Sequence, residues 1–152
     1  MESDTIAKNE IRIERVFNAE IALLWKAWTE PNLIKRWFGS DPNGTVEEVE
    51  IDLRIGGSYK ITFKDSDQSA HTCKGKFLSI MEHKLLKYSW EWESEPGHIS
   101  ELTVSFYAFG EKTKVVLEHK NLNHASRHAY AEGWNGGLDK IERTLVRITN
   151  HK

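Results

Sequence analysis

The stretch YAEGWNGGLDKIERTLVRI, residues 130–148, decides the fold. Tyr130, Trp134, Leu138, Ile141, Leu145 and Ile148 recur at steps of three and four residues, which is the apolar stripe of a long amphipathic helix. Gly133, Gly136 and Gly137 interrupt that stripe. Each costs a helix interior about 0.5–1 kcal/mol relative to alanine, so three within five residues require a reason. Either the helix bends or frays there, or the missing side chains let it lie close to another layer or leave room for a guest.

That layer is visible upstream. Between Thr45 and His119 apolar and polar residues alternate, broken by turn chemistry, as in an antiparallel sheet built from successive hairpins. Six strands are predicted. Their apolar faces carry Val49, Ile51 and Leu53; Tyr59, Ile61 and Phe63; His71, Cys73, Gly75 and Phe77; Leu86, Tyr88, Trp90 and Trp92; Leu102, Val104 and Phe106; and Val115, Leu117 and His119. Ahead of them Ile11–Val16 alternates as a further strand. Ile21, Leu24, Trp25 and Trp28 then mark a helix with Asn18 as its expected N-cap, and Pro31 opens a second, shorter one carrying Leu33, Ile34, Trp37 and Phe38. The order strand, two helices, six antiparallel strands, long C-terminal helix is an α+β fold. The sheet must cover its apolar face, only the last helix is long enough to do so, and the space between them is where a ligand would sit.

Composition bounds the rest. A chain of 152 residues fits one domain, expected over residues 10–150 behind a flexible lead at residues 1–9. At 29% charged residues and a mean hydropathy of -0.57, with no long apolar run, no membrane partner is expected. The 21 Lys and Arg against 23 Asp and Glu leave no basic field for nucleic acid. A single cysteine and an N-terminus without basic and apolar signal regions predict a cytoplasmic protein. The six tryptophans are the oddity, and their spacing leads us to expect them around one volume.

Six segments stand out in order: Thr29-Glu30-Pro31 followed by Trp37-Phe38, Asp52-Leu53-Arg54-Ile55-Gly56-Gly57-Ser58-Tyr59, Trp90-Glu91-Trp92, Leu102-Thr103-Val104-Ser105-Phe106, Leu117-Glu118-His119 and Gly133-Trp134. Together they resemble the START/Bet v 1-like (SRPBCC) helix-grip superfamily, in particular the C-terminal domain of the activator of the ninety-kilodalton heat-shock chaperone ATPase. The first is similar to the family's T-x-P helix pair, the second to its D-L-R-P-G-G-x-Y hairpin, with Ile55 where proline is usual, and the others follow in the family's order. The resemblance spans roughly residues 10–148. It implies a helix-grip fold and a carrier, sensor or stress-related protein for small apolar molecules. It also implies two alternatives, a co-chaperone-like module with a protein partner, and a cyclase or hydrolase of a polyketide-like substrate. The family's co-chaperones carry a separate N-terminal domain that this sequence does not show.

The expected binding site follows from inward-facing aromatic and polar residues: Trp37, Tyr59, Phe63, His71, Cys73, Tyr88, Trp90, Phe106, His119 and Trp134. Buried polar groups need partners, and such a cluster among aromatics either orients a ligand or satisfies itself. No catalytic residue, cofactor or metal is assigned. His124 and His128, with Glu132 a turn later, have helical zinc-ligand spacing but lack the adjacent glutamate of a zincin. Cys73 beside His71 lacks a partner to orient the base, and reads as a small buried hydrophobe. A monomer or weak homodimer is expected.

Overall fold

The computed structural model describes residues 9–122 and 127–146, without the side chains of residues 127–129. In chain order the elements are β1 (Ile11–Phe17), α1 (Ile21–Thr29), α2 (Pro31–Ile34), β2 (Thr45–Ile51), β3 (Ser58–Lys64), β4 (Ala70–Met81), β5 (Leu85–Trp92), β6 (Ser100–Phe109), β7 (Lys112–Lys120) and α3 (Arg127–Ile141). The seven strands form one sheet in the order β1-β7-β6-β5-β4-β3-β2, and every pairing is antiparallel. β2 through β7 are hairpin neighbours, as alternation predicts. β1 instead crosses to the far edge, where Ile11 lies opposite His119. Bulges between Val46 and Glu48 in β2 and between Phe77 and Ser79 in β4 bend these strands locally and increase their twist.

The helices hold their places through specific bonds. Thr113 Oγ1, fully buried in β7, donates to the Ala19 carbonyl at 2.8 Å and fixes the entry to α1. The N-cap of α1 is Glu20, which makes no side-chain cap bond, rather than the expected Asn18 two residues earlier. Pro31 stands at the start of α2, where its missing N–H goes unneeded. On α3, Arg15 of β1 reaches Asp139 at 2.7 Å and Asn135 at 3.1 Å. After Ile141 the helix widens into a π turn, Glu142–Val146, with Thr144 Oγ1 donating to the Lys140 carbonyl. Leu53 departs from expectation: β2 ends at Ile51, and Leu53 enters an exposed hairpin loop that contacts β4 through Gly56 N–H to Phe77 O. Residues 1–8 of the expected lead, and Ile148, lie outside the described residues.

The glycines of α3 serve two purposes. A Cβ on Gly136 would lie 2.5 Å from the Ser40 carbonyl oxygen, and one on Gly137 would lie 3.1 Å from the Trp37 ring. Both therefore permit close approach to the loop after α2. A Cβ on Gly133 would meet nothing nearer than Ser40 Cβ at 3.8 Å. Gly133 faces open space instead.

Candidate functional site

That space is a cavity of about 330 Å³ between β3–β5, α3 and the turn that follows α2. Its wall is aromatic: Trp37 and Phe38 after α2, Phe63 on β3, Trp90 and Trp92 on β5, and Tyr130 and Trp134 on α3. Period 2 on β5 aims both tryptophans at the same side, and the four-residue step of α3 places Tyr130 and Trp134 on one face. The rings hold one another. Phe38 stacks on Trp90 at 5.8 Å, Trp134 meets Trp90 edge to face at 5.4 Å, and Phe63 meets Phe38 at 5.4 Å. Such pairs add about 0.5–1.5 kcal/mol each beyond the area they bury. The polar lining residues Ser40, Asp65, His71, Ser94 and Glu95 are all partly or fully exposed and form the rim.

Two hydrogen-bond chains fix the wall. In the first, Trp134 Nε1 donates to His119 Nδ1 at 3.0 Å, and His119 Nε2 lies 2.8 Å from Ser100 Oγ, which reaches the Trp90 carbonyl at 3.3 Å. An indole N–H can only donate, so His119 Nδ1 must accept and Nε2 must carry the proton. Burial pushes the imidazole pKa down to about 3, so it is neutral and keeps that tautomer. In the second chain Trp92 Nε1 donates to Tyr130 Oη at 2.8 Å. Burial raises the Tyr130 pKa, and its own hydroxyl proton has no acceptor among the described residues. Trp90 Nε1 is buried in the wall and has no partner among the described residues, a deficit of about 1–3 kcal/mol where no other group meets it.

At the rim His71 Nε2 lies 2.9 Å from Asp65 Oδ2. Asp41 lies in the loop after α2 and accepts from the Ser66 and Asn43 backbone N–H groups and from Ser66 Oγ, which holds its pKa down near about 2. Lys140 is buried behind this loop, its ammonium 3.4 Å from the Phe38 carbonyl, and burial lowers its pKa.

Of the ten residues singled out in the sequence, Trp37, Phe63, His71, Trp90 and Trp134 line this cavity. The other five do not. Tyr59 and Tyr88 lie at a second void of only about 10 Å³, beside Trp28 and Phe77, and the Tyr59 hydroxyl donates to the Ser89 carbonyl. Phe106 is covered edge-on by Trp25 and Trp28. His119 stands behind Trp134, bonded to it. Cys73 is completely buried between the Ile61 and Trp92 positions, and burial raises its pKa, which favours the neutral thiol. The tryptophans do not ring one volume either: Trp37, Trp90, Trp92 and Trp134 do, while Trp25 and Trp28 fill the core under α1. Alternate positions on a curved sheet share a side but meet different neighbours along its length. His124 lies outside the described residues, as does the side chain of His128.

The ten residues singled out did not include Phe38, Tyr130, Asp65 and Glu95, nor Trp92, which entered as one of the six tryptophans expected around one volume. Trp92 and Tyr130 carried a signal, the first through alternation with Trp90, the second through the turn it sits ahead of Trp134. Asp65 and Glu95 lie just beyond strand ends, where no period exists.

Comparisons with known proteins agree with this architecture. A protein of Chromobacterium violaceum has the same fold at a TM-score of 0.82 and 21% identity, covering 92% of this chain and 98% of that one. One of Nitrosomonas europaea matches at 0.80 and 20% identity, covering 95% and 98%. An AHSA1-like protein of Aeromonas hydrophila matches at 0.70 and 24% identity, covering 88% and 90%. A search of curated protein sequences returned no match. Residues 18–146 match the sequence model described as Activator of Hsp90 ATPase homolog 1-like protein. With that match across most of its length and with a helix-grip fold, the chain belongs to the Activator of Hsp90 ATPase homolog 1-like family of the Bet v 1-like superfamily.

Proposed function

We propose that the protein binds a small apolar or aromatic molecule between the sheet and α3. The observation that carries this reading is the open, aromatic-walled volume of about 330 Å³ between the sheet and α3, bordered by Trp90, Trp92, Tyr130 and Trp134. Interiors are close-packed, with few voids larger than a water molecule, so a space of this size belongs among ligand sites, which start near ~300 Å³. An interaction module whose pocket is filled by its own side chains would have no such space. A second reading, acid–base chemistry on the bound molecule, has one observation in its favour: Asp65 can orient the His71 imidazole at the rim.

Trp90, Trp92 and Trp134 make binding directly readable. Titration with a library of small aromatic compounds should change tryptophan fluorescence and raise the melting temperature, and native mass spectrometry should detect any molecule that co-purifies. A library without a single compound that does either would overturn the binding reading. The catalytic reading predicts a mass change in the bound compound that His71→Asn abolishes while binding persists. Turnover unaffected by that substitution would remove it.

A further inference from the structure

Among the described residues that line the cavity, the charge is one-sided. Its wall is built from Phe38, Phe63, Trp90, Trp92, Tyr130 and Trp134, together with Trp37, and each ring carries negative potential over its face. Among the described lining residues Asp65 and Glu95 are carboxylates, His71 is the single basic residue, and neither lysine nor arginine is present. Asp65 is held by His71 and, at 3.4 Å, by Ser69 Oγ. The Glu95 carboxylate makes no hydrogen bond or ion pair among the described residues, although it lies at the rim close enough to Tyr130 to raise that phenol's pKa. Lys140 acts electrostatically on Asp65, but it is turned toward the Phe38 carbonyl and lies near Asp41, whose charge opposes its own.

These groups discriminate among ligand charges. An anion would meet two carboxylates and, among the described lining residues, no lysine or arginine to receive it. A neutral hydrocarbon would use the rings and leave Glu95 without a partner. A weakly hydrated cation would use both, since ring faces attract cationic nitrogen and a nearby carboxylate adds to the attraction. We propose that the ligand is a hydrophobic organic cation, an aromatic or alkyl ammonium compound whose apolar body lies among the rings and whose charged nitrogen sits at the rim beside Glu95 and Asp65. This inference rests on the ligand-binding reading above and names the chemical class for the same site.

The test compares three probes of nearly one shape by fluorescence titration and calorimetry: benzyltrimethylammonium, its uncharged carbon isostere neopentylbenzene, and benzylsulfonate. The cation should bind about 10-fold more tightly than the isostere, with benzylsulfonate weakest. Added salt should weaken the cation alone. Glu95→Gln, at a partly exposed side chain that makes no bond among the described residues, should lower cation affinity about three- to tenfold and leave the isostere unchanged. If the isostere or benzylsulfonate binds as tightly as the cation, or if Glu95→Gln leaves cation affinity unchanged, the cation inference is overturned while the cavity reading stands. If none of the three binds at millimolar concentration, the cation inference is overturned, and the cavity reading falls with it only where the compound library fails as well.

Discussion

Replacing His119 with leucine should make the protein less stable at neutral pH and less sensitive to acid. The imidazole is fully buried between Ser100 and Trp134, and its folded pKa is about 3 against an ordinary value of 6.5. On acidification the unfolded chain therefore takes up a proton that the folded chain refuses. The contribution is fully present above about pH 6.5 and disappears as pH falls toward about 3. With one proton and about 1.36 kcal/mol per pH unit, wild type loses about 2 kcal/mol from this group by about pH 5, and on the order of 5 kcal/mol over the whole window. His119→Leu removes that proton site but leaves Trp134 Nε1 without its acceptor, at a cost of about 1–3 kcal/mol. Urea unfolding of both proteins at pH 7, 6 and 5 should show a stability gap that shrinks by about 2 kcal/mol across the series. Asp41, whose folded pKa is about 2, makes a contribution that stays constant across that range and is lost below it in both proteins alike. A gap that stays constant from pH 7 to 5 refutes the argument. So does an NMR titration of the wild-type imidazole that shows protonation near pH 6, or an Nδ1–H tautomer.

Two further predictions concern the packing around the cavity. Gly136→Ala should destabilise the protein by about 1–3 kcal/mol, because its Cβ would be forced against the Ser40 carbonyl, whereas Gly133→Ala, with open space beside it, should stabilise by about 0.5–1 kcal/mol through helix propensity. Thermal melts of the two variants should move in opposite directions, and a shared direction would show that propensity or packing alone governs both sites. Cys73, fully buried and with its pKa raised by burial, should resist a thiol reagent in the native protein and react fully in denaturant. Rapid native labelling would contradict the buried placement.

Periodicity carried most of the fold. Alternation on β2 to β7, the three- and four-residue steps of α3, and Pro31 at the start of α2 each reflect a local rule, the side-chain direction of a strand or helix or the fixed φ of proline. Local rules also said which side of the sheet each residue faces, which is why Trp37, Phe63, His71, Trp90 and Trp134 could be singled out as neighbours of a cavity. They could not say where along that side the space opens. That depends on how close α3 approaches, and the approach is set by two contacts between segments about a hundred residues apart, Gly136 on Ser40 and Gly137 on Trp37. The same contacts leave Tyr59, Tyr88 and Phe106 in packed core though they share the sheet face of Phe63 and Trp90. Asp65 and Glu95, which give the rim its charge, lie in loops whose positions follow from strand pairing rather than from any pattern of their own. The sequence by itself thus determined the layers and their faces, because those obey the geometry of single elements. Tertiary packing alone decided the cavity, its rim charge and the partners of His119, because each is a distance between elements that no single segment encodes.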